Sequence, residues 1–209
     1  MNRKPKMLMA ALIAVSQSYA AKESIDTLKT YELQNVQVTS TRAGKHTPMA
    51  FSTLNKDQIK KINHGQDIPF LLSLTPSVTT TSDAGNGIGY TSLKVRGTDP
   101  SRINFTANGI PVNDAESSQV FFVNMSDFMS SVKDLQIQRG VGTSTNGSAA
   151  FGATVNMQTD APSLYPYLNF NASAGCYATH KESVRFGSGL LGNHWSFDGR
   201  LSNISSNGY

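Results

Sequence analysis

Residues 165–209 alternate between apolar and polar side chains. Leu168, Phe170, Ala172 and Ala174 alternate with Asn169, Asn171, Ser173 and Gly175. Val184, Phe186 and Leu190 alternate with Ser183, Arg185 and Gly189, and Trp195, Phe197 and Leu201 with Ser196, Asp198, Arg200 and Ser202. A helix cannot segregate residues at period two, whereas an extended strand does so automatically. The spacing therefore predicts about three antiparallel strands, with Gly192-Asn193 turning between the last two. An outer-membrane barrel shows this dyad pattern, with one face toward lipid and one toward a wet lumen. A soluble antiparallel sheet shows it too, and alternation alone leaves the two open.

The other end of the chain narrows the choice. Asn2-Arg3-Lys4-Pro5-Lys6 is a positive start, Met7 to Val15 is a short apolar run, and Ser18-Tyr19-Ala20 supplies small residues at the positions a signal peptidase reads. Residues 1–20 thus read as a secretory signal peptide. The apolar run falls short of the ~20 residues of a spanning helix, so any membrane insertion is expected through strands. The leader also explains the basic balance. The chain carries 18 basic and 14 acidic residues, a formal charge of +4. Removing Arg3, Lys4 and Lys6 with the leader leaves 15 against 14. That surplus is too small for a nucleic-acid reading.

Between these ends the pattern is mixed. Residues 21–34 are polar and read as a periplasmic tether. Leu33 to Thr39 alternates and ends β-branched, as a short strand does. Thr53 to Ile62 reads as a helix, with Asn55 and Gln58 in capping-box spacing. Asp67 to Leu74 reads as a second helix, capped by Asp67, with Pro69 in its first turn and Pro76 beyond its end. Strands are predicted at Ser77–Thr81, Thr91–Arg96, Ile103–Ala107, Gly109–Val112, Val132–Arg139 and Ala153–Thr159. Asn108-Gly109 marks a hairpin, and a short helix is expected near Ser126–Ser131. Short strands mixed with short helices make a compact α+β unit.

No chemistry-bearing set emerges. One cysteine, Cys176, excludes an internal disulfide, and His46, His64, His180 and His194 lack metal-ligand spacing. Asp83, Asp99, Asp114 and Glu116 have no histidine partner, and no Gly-x-Ser-x-Gly elbow occurs. Gly85-x-Gly87-x-Gly89 lacks the strand–helix context of a phosphate cradle and reads as a mobile loop. No catalytic residue, cofactor or metal is expected.

Three runs carry a family likeness. They are Leu93-Lys94-Val95-Arg96-Gly97-Thr98, then Asn108-Gly109-Ile110-Pro111-Val112-Asn113-Asp114, then Ile137-Gln138-Arg139-Gly140 continuing to Asn146 through Met157. Together, in this order and spacing, they resemble the plug domain of TonB-dependent outer-membrane receptors. Val36 to Arg42 is similar to that domain's N-terminal edge, and the likeness extends over residues 33–209. It implies a plug at 33–160, a small mixed sheet with short helices, followed from 165 by an incomplete antiparallel transmembrane β-barrel. The family barrel has about 22 strands. Three strands cannot close, so the chain is expected to be a truncated receptor, the rest of its barrel missing.

The resemblance also assigns roles. Residues 33–39, with Leu33, Val36, Val38 and Thr39, are the candidate TonB-coupling segment. An extended segment can add to a partner's sheet edge through its backbone, although an ordinary first plug strand fits the same run. Arg96 and Arg139 are the candidates for pairing with carboxylates of the barrel wall, where a guanidinium makes bidentate contacts. Asn86, Tyr90, Arg102, Asp114, Glu116, Gln119, Phe121 and Phe122 are the candidate substrate-facing residues, in loops that carry binding in such architectures. Plain packing competes for each. The implied function is energised uptake of a scarce nutrient, an iron–siderophore complex foremost. Its partners are TonB, outer-membrane lipid and the chelated nutrient, with no nucleic acid. The alternative is a secreted β-rich binding or adhesion module without transport.

Overall fold

In a computed structural model of the chain, residues 42–44, 47–141, 150–192 and 194–209 are described. The leader, the tether and residues 33–39 fall outside them. The core is a five-stranded mixed sheet in the order β1-β6-β7-β4-β5. Its strands are β1 (Ala50–Asn55), β4 (Ile103–Ala107), β5 (Ile110–Pro111), β6 (Val132–Arg139) and β7 (Ala153–Thr159). Only the β4–β7 pairing is parallel; the others are antiparallel. A separate hairpin joins β2 (Val78–Ser82) to β3 (Thr91–Val95). Two short helices, α1 (Lys56–Ile62) and α2 (Ile68–Leu71), complete the α+β unit.

Period-two alternation gives this sheet two unlike faces. Leu135, Ile137, Ile103, Phe105, Val155 and Met157 point to one side, where Ile59 of α1, Ile68 and Leu71 of α2, and Leu93 and Val95 of β3 join them in one apolar cluster. The other side is a buried polar ladder. Gln136 opposes Asn156, which in turn opposes Thr106, and Gln138 opposes Thr154, which opposes Asn104. Thr106 donates its hydroxyl to Asn156 (2.6 Å), and Gln138 donates Nε2 to Gln136 (2.9 Å). Buried amides stay affordable only when bonded in this way.

Local differences from expectation have local causes. Residues 53–55 are strand rather than helix, because β1 pairs with β6 up to Asn55↔Asp134. The capping box at Asn55 and Gln58 is present, both bonds at 2.9 Å, and it starts the helix at Lys56. α2 is shorter than 67–74. Asp67 makes no side-chain cap and accepts the Thr91 hydroxyl instead, at 2.9 Å. β3 stops at Val95, since Arg96 and Gly97 both turn left-handed (φ 53 and 76). Residues 126–131 form only a 3-10 turn, Phe128–Ser131. The glycine loop is packed at Gly87. Gly87, at φ 80, lies so close to the Phe70 ring that a Cβ would sit 2.7 Å from it, and its carbonyl accepts from the Asp67 amide.

The alternating tail forms a three-stranded antiparallel sheet, β8 (Pro166–Ala174), β9 (His180–Ser188) and β10 (Asp198–Ser205), with β9 in the middle. Strands of 8 or 9 residues approach the length that crosses a bilayer when tilted. β10 begins three residues later than its alternation begins, because Trp195 pairs back to Leu191 inside the β9–β10 connection. The sheet is open: among the described residues, β8 and β10 each leave one edge unpaired.

Candidate functional site

The tail sheet is polarised across its thickness. Phe170, Val184 and Leu201 form one cross-strand row, and Leu168 and Phe186 stand in the next on the same face. Leu168, Phe170 and Leu201 are 74%, 69% and 71% exposed. A contiguous bare apolar face of this kind marks contact with lipid or with another molecule. The opposite face carries Asn169–Arg185–Arg200, Asn171–Ser183–Ser202 and Ser173–Lys181–Ile204. Lys181 and Ser183 are buried there, against the α+β unit.

Asp127 is the hub of that contact. It sits between two 3-10 turns in a left-handed conformation (φ 55), which aims its side chain outward from the core at the tail sheet. Its carboxylate is 1% exposed and ion-paired to both Lys181 of β9 and Arg200 of β10. Ser202 donates to Oδ2 (2.6 Å), Ser130 to Oδ1 (2.5 Å), and Arg200 also donates to the Asp127 carbonyl (2.6 Å). Burial by itself would push this carboxyl up. The donors from Lys181, Ser130 and Ser202 outweigh burial and hold it below the ordinary carboxylate range.

A second carboxylate repeats the arrangement. Asp160 Oδ2 accepts from Lys56 Nζ of α1 (2.7 Å) and from Arg185 Nη1 of β9 (2.5 Å). Lys56 also donates to the Ser130 and Val132 carbonyls at 3.1 and 2.9 Å. Burial drives the Lys56 ammonium below its usual pKa, against the opposing pull of Asp160. Arg185 lies 5.6 Å from the Tyr167 ring centre, and that ring lies so close to Gly187 that a Cβ there would meet it at 2.3 Å. Across the contact the α+β unit therefore supplies the acids and the tail sheet supplies cations, with Lys56 adding a cation to Asp160 from the plug side.

The two arginines singled out in the sequence lie away from this contact. Arg139 donates Nη1 to the Ser52 hydroxyl of β1 (3.2 Å), inside the α+β unit. Arg96 is exposed, its guanidinium beside Gly140. Neither has a carboxylate partner among the described residues. Asp127, Asp160, Lys181 and Arg200 are not among the residues the sequence singles out. The readable signal was three cations, Lys181, Arg185 and Arg200, on the polar face of alternating strands, where buried charge requires a partner.

The loop candidates divide. Tyr90, Gln119, Phe121 and Phe122 line one cavity of about 190 Å³, together with Asp83 and Phe105. Tyr90 and Phe121 are exposed at its rim. Phe122 reaches this cavity from the core side: it is 4% exposed and packs edge-on against Phe105, ring centres 5.2 Å apart, where it anchors a 3-10 turn. Asp114 turns its carboxylate onto its own loop, accepting from the Ser117 amide (2.8 Å), and that bond first lowers its pKa. Glu116 and Arg102 are exposed outside this cavity. Asn86 lines a different one, about 210 Å³, with His64, Ser173, Cys176 and Tyr177, and donates to Ser206 at 2.7 Å. Leu33, Val36, Val38 and Thr39 lie outside the described residues. No three potential metal ligands cluster among the described residues.

Residues 43–154 match the family model described as the TonB-dependent Receptor Plug Domain. Among solved structures, the chain is similar to FpvA of Pseudomonas aeruginosa bound to a heterologous pyoverdine, at 15% identity and a TM-score of 0.60, over 77% of this chain and 21% of that one. The ferric yersiniabactin uptake receptor FyuA of Yersinia pestis aligns at 12% identity and a TM-score of 0.57, over 74% and 24%. The alcaligin outer-membrane receptor FauA of Bordetella pertussis aligns at 20% and 0.57, over 75% and 27%. The aligned part is thus between about a fifth and just over a quarter of each of those chains. No curated protein matches the chain in sequence.

Proposed function

Because this chain belongs to the TonB-dependent receptor plug family, we propose that it acts in an outer-membrane receptor as the stopper and the adjoining wall, gating energised uptake of a scarce nutrient. A wide barrel leaks unless it is filled, and its filling must yield on demand. The observation that carries this reading is the tail sheet with its two faces. One is bare and apolar, as a lipid-facing wall requires. The other is docked onto the plug through Asp127 and Asp160. Polar, hydrogen-bonded contacts suit a seam that opens under force, since each can be exchanged for water. The role is transport, with no catalytic step.

The coupling segment of this reading is residues 33–39, extended and able to add to a sheet edge of TonB. The described chain begins just beyond it, and there it is firmly tied. Arg42 is ion-paired to Asp134, and Ala43 exchanges two hydrogen bonds with the Gln136 side chain, at 2.8 and 3.0 Å. A pull on residues 33–39 would arrive at β6, the second strand of the sheet. Val36→Pro in the intact receptor is expected to abolish energised uptake while leaving nutrient binding unchanged, as read by labelled-nutrient uptake and binding to whole cells.

For the cargo we propose an iron–siderophore complex, met by the Tyr90, Gln119 and Phe121 rim. Aromatic edges and amide groups around a concave floor suit a bulky chelate with apolar and polar surface. The secreted adhesion module is the weaker alternative, since it would have to cover Leu168, Phe170 and Leu201 in another way. Membrane fractionation of the full-length gene product tests the choice. Outer-membrane recovery with heat-modifiable migration is expected; recovery as a soluble secreted protein overturns it.

A further inference from the structure

Beside the Asp160 and Asp127 pairs lies a cavity of about 380 Å³ between α1 and the polar face of the tail sheet. That is within the roughly 300–1,000 Å³ of small-molecule sites. Four cations line it, Lys56 and Lys60 from α1 and Lys181 and Arg185 from β9, and no acidic side chain does. The two carboxylates that pair with these cations, Asp127 and Asp160, sit behind the lining. Arg200 shares Asp127 with Lys181. Five cations therefore stand against two carboxylates, leaving the neighbourhood electropositive. The Lys56 ammonium registers this, because Arg185 and Lys60 both add to the desolvation that lowers its pKa.

The lining also holds donors that no other side chain or backbone group of the described residues takes up. Lys60 makes no ion pair, and the side chains of Asn169, Asn171 and Ser183 make no hydrogen bond among the described residues, yet all four line this one cavity. Lys60, Asn169 and Asn171 are exposed and Ser183 is buried, so positive charge and N–H and O–H donors open to a ligand converge from a helix and a sheet. A monovalent ion would leave most of these donors unanswered, whereas an oxyanion with several oxygens accepts from many directions at once.

We propose that this cavity is a binding site for a small oxyanion carrying two or more negative charges, of the phosphate or polycarboxylate type. Lys60, Asn169, Asn171 and Ser183 provide the direct contacts. Lys56, Lys181 and Arg185 remain in their pairs and supply the surrounding field. The site rests on the geometry of this seam and needs neither transport nor TonB, so it is tested without either.

Inorganic phosphate is titrated into the full 209-residue chain held in detergent micelles, and binding is read by calorimetry and by broadening of the phosphorus resonance. Saturable binding with a Kd below about 1 mM is expected. Citrate should compete and chloride at equal ionic strength should not. Lys60→Gln and Asn171→Ala are expected to weaken phosphate at least fivefold each, with thermal unfolding unchanged. Lys133→Gln, which removes an exposed charge outside the cavity, should leave the Kd as it was. Absence of saturable binding overturns the proposal, as does equal weakening by Lys133→Gln and Lys60→Gln, or competition by chloride as strong as by citrate. Loss of energised uptake in Val36→Pro with phosphate binding intact separates this site from the transport reading.

Discussion

Asp127 shows how much a single side chain can organise. Its carboxylate answers two cations and two hydroxyls from three segments of chain, with almost no contact with water. Removing one partner of a buried ion pair usually costs about 3–5 kcal/mol, because the other charge is left desolvated and alone. Asp127→Asn keeps the shape and strips the charge. It is expected to loosen the tail sheet from the plug by a few kcal/mol, seen as faster proteolysis between residues 160 and 166. The pH dependence follows from the direction of the shift. The folded carboxyl titrates below its unfolded value of about 3.9, so its contribution is fully present above pH ~4. It is lost as the pH falls further through the folded value. Docking should therefore hold from neutrality down to about pH 4 and weaken below, with the Asn variant losing the part of that dependence that belongs to Asp127. Asp127 was not legible beforehand. It lies in an irregular loop, and its partners are 54 and 73 residues away, a separation no local pattern encodes.

At the scale of elements, legibility followed the strength of the local signal. β6 and β7 appear over the residues their alternation marks, Val132–Arg139 and Ala153–Thr159, because each has one apolar face and one amide or hydroxyl face. The start of α1 was misplaced by its own neighbour: Thr53 and Leu54 are acceptable in a helix, but pairing with Gln136 and Leu135 of β6 wins over propensity. Gln136 illustrates a device that reading by pattern overlooks. Placed in a strand, its side chain imitates a backbone amide and clips the incoming chain at Ala43 by both its donor and its acceptor. Gln136→Leu leaves two buried backbone groups unanswered, at about 1–3 kcal/mol. Faster hydrogen exchange at Ala43, with the β6–β7 ladder protected as before, is the expected result.

For the whole molecule, the division of charge at the seam adds to what the sequence shows: acids of the plug meet cations of the tail sheet. Arg96 and Arg139 precede glycines at strand ends, and Arg139 donates to Ser52 within the plug; the seam with the three tail strands is held by acids of the plug. The bare face of the wall was legible, since alternation over three strands fixes which residues share a side. A cation placed there should be poorly tolerated: about 2–4 kcal/mol for Arg near a bilayer midplane. In the intact receptor, Phe170→Arg is expected to reduce folded yield in lipid vesicles by denaturant titration, while Asn171→Arg, one residue on and facing inward, changes it far less.

The two cations that meet at Asp127 come from different heights of the wall. Lys181 stands opposite Ile204, four residues beyond Arg200 on β10, or about 13 Å along the strand. They converge from above and below on the Ser183–Ser202 rung. Alternating hydrophobicity is blind to a slip of two residues, since apolar side chains would still face outward and polar ones inward. Such a slip would carry Arg200 and Ser202 away from the carboxylate while Lys181 stayed. One aspartate thus proofreads the alignment of two neighbouring staves, a degeneracy that greasiness alone cannot break.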